Sequence, residues 1–158
     1  MRSLILDLRW NPGGLLDEGV AVADLFLDPG QSIVSTRGRA PGATRQLVDR
    51  NQQRYATLPI VVLVNGATAS AAEIVAGALQ DPDRAIIDGT TSYGKGLVQS
   101  VFPLSSSVSL KMTTSKWYTP NGRSIQRGFR QSDDDRDPDA PPVATDFRLR
   151  PGGVESSR

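Results

Sequence analysis

Short apolar runs that each end in a glycine-containing turn constrain this chain more than any other feature. Leu4-Ile5-Leu6-Asp7-Leu8 leads into Asn11-Pro12-Gly13-Gly14, Ile60-Val61-Val62-Leu63-Val64 into Asn65-Gly66, and Ala85-Ile86-Ile87 into Asp88-Gly89. Runs of this length, bounded by turn residues, read as buried strands. Between them the spacing becomes helical. Leu15, Leu16, Val20, Val22, Ala23, Phe26 and Leu27 recur near the 3.6-residue period until Asp28-Pro29-Gly30 stops them. Ser70 to Gln80 forms a second helical stretch. This alternation predicts an α/β fold with a largely parallel sheet and crossover helices.

The remaining segments are less regular. Gln31 to Arg37 reads as a strand, and Ala40 to Leu58 as a polar surface excursion with room for a short helix. After Lys95 the pattern changes to two or three β segments, with Pro120-Asn121-Gly122 as a turn signal. From Gln131 onward the chain turns acidic and proline-rich, and residues 131–158 read as a tail or linker. Asp133 to Asp139 lacks the glycine and terminal glutamate of a calcium loop and reads as a solvated charge run. Trp10 and Trp117 read as packing residues.

Composition excludes several classes. With 158 residues the chain fits one domain with a sizeable core. Its 18 Lys+Arg against 17 Asp+Glu leave +1, so no global basic field points to nucleic acid. No apolar stretch approaches the roughly 20 residues of a membrane span. Met1-Arg2-Ser3 runs directly into the first strand, with no signal-peptide pattern.

The reactive candidates follow from what is missing. The chain has no histidine and no cysteine, so neither a Ser-His-Asp triad nor a Cys-His pair is available. Ser70 opens a helix after a strand and a glycine-containing loop, where first-turn amides lack partners and carry the positive end of the dipole. The N–H of Ala71 is a natural donor to an oxyanion there. Ser70-Ala71-Ala72-Glu73 equally matches a capping box, with Thr68 as a competing cap. Gly89 to Lys95 matches the first seven positions of a phosphate-binding loop, but Gly96 replaces the hydroxyl residue and no helical spacing follows. Lys95 also has the plain reading of a solvated loop cation.

Four motifs in order resemble one family: Leu6-Asp7-Leu8-Arg9-Trp10-Asn11-Pro12-Gly13-Gly14; Asn65 to Gln80; Ser92-Tyr93-Gly94-Lys95-Gly96-Leu97-Val98-Gln99; and Lys116 to Gln126. Together they are similar to the C-terminal processing (tail-specific) serine peptidases, across Leu4 to about Phe129. The resemblance implies a crotonase-like core over residues 1–130, a mixed β-sheet with crossover helices. It implies Ser70 as nucleophile, Lys95 as general base and Gln99 as the residue orienting the lysine amine. Oxyanion donors would be the amides of Ala71 and of Gly13 or Gly14, with Glu73 in support. It implies no metal or cofactor, protein or peptide substrates cleaved near their C-termini, and an extracytoplasmic location. Members of the family carry a PDZ domain and further core elements before the Asp-Leu-Arg strand, so the resemblance implies an N-terminally truncated core. A non-catalytic remnant that binds peptides or partners is the alternative.

The dyad makes a chemical demand. An ordinary lysine amine keeps its proton to about pH 10.4, so a base working near neutrality needs its neutral form favoured by about 4 kcal/mol. Tyr93, Leu97 and Val98 are the apolar neighbours expected to bury it.

Overall fold

The computed structural model describes residues 1–127 apart from 53 and 56; the acidic stretch from Gln131 lies outside them. The strands divide between two sheets. β1 (Leu4–Asp7), β4 (Ile60–Val64) and β5 (Ile86–Gly89) form a parallel sheet in the order β1-β4-β5. β2 (Ser32–Arg37), β3 (Arg45–Val48), β6 (Leu97–Pro103) and β7 (Ser109–Tyr118) form an antiparallel sheet in the order β3-β2-β7-β6. The single mixed sheet expected from the sequence is thus two sheets, one of each kind. Parallel pairing needs crossovers, and these are present: α1 (Leu16–Asp24) lies between β1 and β4, and α2 (Ala71–Gln80) between β4 and β5.

The core lies where both helices and both sheets meet. β4 is the central strand of the parallel sheet, with Ile60, Val62 and Val64 buried on one face. Every residue of α2 from Ala71 to Leu79 is buried, as a helix that is apolar almost all round should be. Its alanines and leucine are strong helix formers, and Asp81-Pro82 stops it. α1 reaches α2 through Gly19, where a Cβ would lie 2.9 Å from the Ala71 carbonyl oxygen.

Two sequence expectations change. The Ala40–Leu58 excursion contains β3, a strand paired with β2, and no helix among the described residues. Strand formation there supplies β2 with a second partner, which a polar helix would not do. Trp10 is 78% exposed, whereas Trp117 is buried at 1%. The exposed indole sits in a tight turn with positive φ, away from any core-facing strand.

One acid pair, half-buried Asp24 and buried Asp49, joins the end of α1 to the end of β3. Asp49 is 2% exposed. It accepts from the Asn51 N–H at 2.8 Å, while Asp24 accepts from the Arg50 N–H at 3.3 Å and from the Asn51 side-chain amide. Burial first, then the neighbouring Asp24, raises the Asp49 carboxyl from its ordinary 3.8 to about 6. Asp24 is lowered, chiefly by its hydrogen bond with Asp49. Between those two pH values the unfolded chain releases the Asp49 proton and the folded chain keeps it, so stability falls as pH rises. Urea unfolding is expected to show a decline of about 1–2 kcal/mol between about pH 4.5 and 6.5, levelling above that range. Asp49→Asn should flatten it; an equal decline in the variant contradicts the assignment.

Candidate active site

Ser70 stands between β4 and α2 in a backbone conformation that L-residues rarely adopt, φ 54° and ψ −119°. Such strain costs roughly 1–3 kcal/mol and persists only where the surroundings hold it. The chain has no slack here. Thr68 donates its hydroxyl to the Leu8 carbonyl at 2.8 Å and accepts from the Asn65 N–H at 2.9 Å. The Thr68 carbonyl accepts from the Tyr93 N–H, and the Ala69 N–H donates to the Asn11 carbonyl, both at 2.9 Å. Thr68 therefore ties the loop to β1 instead of capping the helix. A strained serine on a sharp strand-to-helix turn is also how α/β-hydrolases expose their nucleophile.

Glu73 holds the opposite side. Its side chain is completely buried, and each carboxylate oxygen accepts two hydrogen bonds. Oε2 takes the N–H of Ser70 at 2.8 Å and of Lys95 at 2.9 Å. Oε1 takes the Ser92 hydroxyl and the Gly94 N–H, both at 2.6 Å. The bond from Ser70 is the reach-back half of a capping box. The bonds from 92–95 are not, and they fix the Lys95 backbone relative to Ser70. Local sequence identifies the first role; the second needs residues 19 to 22 positions away. A third anchor fixes Lys95 as well: buried Trp117 donates its indole N–H to the Lys95 carbonyl at 3.0 Å.

Ser70, Lys95, Gln99 and Gly14 line one cavity of about 280 Å³. Leu97 and Val101 line it too, whereas Ser100 and Phe102 line the cavity on the other side of the β6–β7 hairpin. Val98 lines both cavities, and the β6–β7 register shifts between Val98 and Gln99, so Lys95 and Gln99 reach one lining across a break in the strand alternation that the spacing alone assumes. Half-buried Leu97 and Val98 accompany Lys95, but Tyr93 is 56% exposed and gives it little cover. β6 follows Lys95 directly, so the helix N-terminus that a phosphate loop requires is absent at that point.

The two glycines differ. Gly13 adopts φ 89° and presses on the serine turn: a Cβ there would lie 2.5 Å from the Ala69 oxygen and 2.7 Å from the Ala71 nitrogen. Its own N–H donates to the Asn11 side chain at 2.9 Å. That engagement makes Gly13 a close-packing residue, whereas a Cβ at Gly14 would meet nothing within 4 Å, and Gly14 lies on the cavity lining. Among the described residues no acceptor is found for the amides of Gly14 or Ala71.

Residues 1–133 match the sequence profile of peptidase family S41. The chain belongs to that family. It is 51% identical over 126 residues to the carboxy-terminal-processing protease of Bartonella bacilliformis, covering 80% of this chain and 29% of that protein. It is 43% identical to carboxyl-terminal-processing peptidase 1, chloroplastic, of Arabidopsis thaliana, covering 82% and 26%. The fold superposes on a photosystem II D1 C-terminal processing protease with a TM-score of 0.69 at 38% identity, covering 80% of this chain and 32% of that one. The chain therefore spans under a third of the length of these relatives. Among the described residues no helix is long and apolar enough to cross a membrane, and no group of three or more metal-ligating side chains occurs.

Two stability outcomes follow from this geometry. Glu73→Gln leaves four donors facing an amide, and the unfolding free energy is expected to drop by about 2–4 kcal/mol; a value equal to wild type contradicts the anchoring role. Ser70→Gly should be about 1 kcal/mol more stable than Ser70→Ala, because glycine relieves the positive φ. Equal stabilities would show that the turn is unstrained.

Proposed function

We propose that this chain carries the reactive centre of a C-terminal processing serine peptidase with a crotonase-like core, acting through Ser70 and Lys95. The observation that carries the reading is the shared carboxylate of Glu73, which binds the backbone of both residues while both line one cavity. With no histidine in the chain, a lysine amine is the base in this reading; Lys111 lines the same cavity, and Lys95 is the one assigned because Glu73 binds its backbone together with that of Ser70.

Ser70 Oγ attacks the peptide carbonyl carbon while the neutral Lys95 amine accepts the hydroxyl proton. The carbonyl oxygen becomes an oxyanion facing the amides of Ala71 and Gly14. The C–N bond then breaks, Lys95 returns the proton to the departing amine, and an ester remains on Ser70. Water attacks that ester, Lys95 takes the water's proton, and the ester C–O bond breaks. The proton passes to Ser70 Oγ, and the carboxylic acid so formed gives its own proton to water and becomes the new C-terminal carboxylate. Gln99 is proposed to orient the Lys95 amine. Protein or peptide substrates and an extracytoplasmic location belong to the same proposal, supported by the family membership.

Cleavage of a peptide with a free C-terminus, followed by mass spectrometry, tests the reading in the full chain and in the longest natural form of the protein. Ser70→Ala and Lys95→Ala are expected to reduce the rate at least about 10³-fold, the scale of losing a nucleophile or its base. Lys95→Arg should be equally inactive, because a guanidinium does not surrender its proton. Wild-type rates in Lys95→Arg would refute the base role. Inactivity of every form, wild type included, would favour a binding remnant.

A further inference from the structure

The second cavity takes no part in the reaction, yet it adjoins the one that does. Its volume of about 430 Å³ exceeds the 280 Å³ at Ser70, and neither Ser70 nor Lys95 lines it. The two cavities lie on either side of the β6–β7 hairpin and share two lining residues, Leu16 and Val98. A regular strand would turn Val98 to one face only. The register of β6 against β7 shifts between Val98 and Gln99, and an irregularity of this kind re-aims a side chain. β6 is also the outer strand of its sheet, so a ligand can cross its edge from one cavity to the other.

The chemistry of this lining selects an apolar group. Leu16, Leu47, Val98 and Phe102 supply side-chain wall, and Phe102 is 41% exposed. The hydroxyls beside them are engaged within the protein. Those of Thr36 and Ser115 donate to the Ala43 carbonyl at 2.9 and 3.1 Å, and those of Ser100 and Thr114 bond each other at 3.0 Å. Asp17 and Arg45 stand on the same lining with opposite charges, which leaves no net field to attract an ion. Removing an aliphatic or aromatic side chain from water is then the main source of affinity.

We propose that the second cavity is an exosite: it receives an apolar side chain of the same peptide whose bond is cut at Ser70, and Phe102 is the residue that holds it. This rests on the peptidase reading of Ser70 and Lys95. Continuity through Leu16 and Val98 argues for that occupant, because a peptide lying at Ser70 is already at the entrance. Adjoining cavities of these volumes have centres about 10–15 Å apart, or about three to five residues of extended peptide. The exosite therefore acts as a ruler. A large apolar residue seated there brings to Ser70 a bond about three to five positions away and keeps nearer bonds out of reach.

Cleavage positions, read by mass spectrometry on the full chain, test the ruler. The substrates are peptides of glycine, serine and alanine that carry one phenylalanine, moved along the peptide a step at a time. Cuts are expected to follow the phenylalanine at a fixed offset of about three to five residues. Phe102→Ser should scatter them, whereas Phe102→Leu keeps an apolar wall and should keep the offset. Cuts without a fixed offset, or an offset that survives Phe102→Ser, overturn the proposal. Cuts directly beside the phenylalanine overturn it as well, by placing that side chain in the Ser70 cavity. A second measurement needs no turnover: with Ser70→Ala in the full chain, fluorescence anisotropy compares the phenylalanine peptide with one lacking it. The former is expected to bind about tenfold more tightly, and Phe102→Ser should abolish the difference; equal affinities contradict the exosite. A changed sedimentation rate or unfolding midpoint in Phe102→Ser, with cuts unmoved, also counts against it, in favour of a second copy or another part of the protein on this face. Failure of the peptidase reading looks different: wild type cuts nothing, while the Phe102-dependent preference persists in Ser70→Ala.

Discussion

The buried carboxylate of Glu73 is the interaction on which the rest of the site depends. A charged group with no solvent contact is stable only if its lone pairs are filled. Here they are filled by donors from two separate segments, the serine turn and residues 92–95. The need to satisfy one anion therefore fixes the distance between two stretches of backbone. It also explains how Ser70 remains in a strained conformation. The turn is held by Glu73 on one side and by Asn11, Thr68 and Gly13 on the other, so relaxing φ would break several bonds at once.

The division into two sheets places the cavity. The parallel sheet delivers Ser70 at the carboxyl end of its central strand, where crossover connections leave a crevice. The antiparallel hairpin β6–β7 and the residues leading into it supply the facing wall with Lys95, Gln99 and Lys111. Buried Trp117, bonded through its indole to the Lys95 carbonyl, joins that wall to the core. Strand alternation sorts β6 beyond the irregularity at Val98: Gln99 and Val101 line the Ser70 cavity, Ser100 and Phe102 line the second cavity of about 430 Å³, and Val98 lines both.

Much of the architecture is legible in the sequence because local forces decide it. Ile60 to Val64 has no plausible state except a buried strand, and Ala71 to Leu79 none except a buried helix. The helix over Leu15 to Leu27 is legible in place but not in length: it ends at Asp24, with turn residues completing the segment. Arg45 to Val48 escapes a reading by period because its polar, alternating residues carry no strong one, and its strand exists through pairing with β2. Trp10 departs from expectation because side-chain size indicates burial only when the backbone points inward, and a left-handed turn residue escapes that rule.

What the sequence determined by itself was the inventory and its constraints: no histidine, no cysteine, a serine at the start of a helix, a lysine after a glycine, and four motifs in family order. Those facts limit the chemistry because they do not depend on where the chain folds. Tertiary structure decided what lies beside what. Glu73 reads locally as a helix-capping acid, and only folding brings Ser92, Gly94 and Lys95 to its second oxygen and spare lone pairs. Gly13 and Gly14 are equivalent as letters, and only folding presses Gly13 against Ala69 and Ala71 while leaving open space at Gly14 on the cavity lining. The physical reason is that hydrogen bonding and close packing between distant segments depend on distance in space, which periodicity along the chain does not encode.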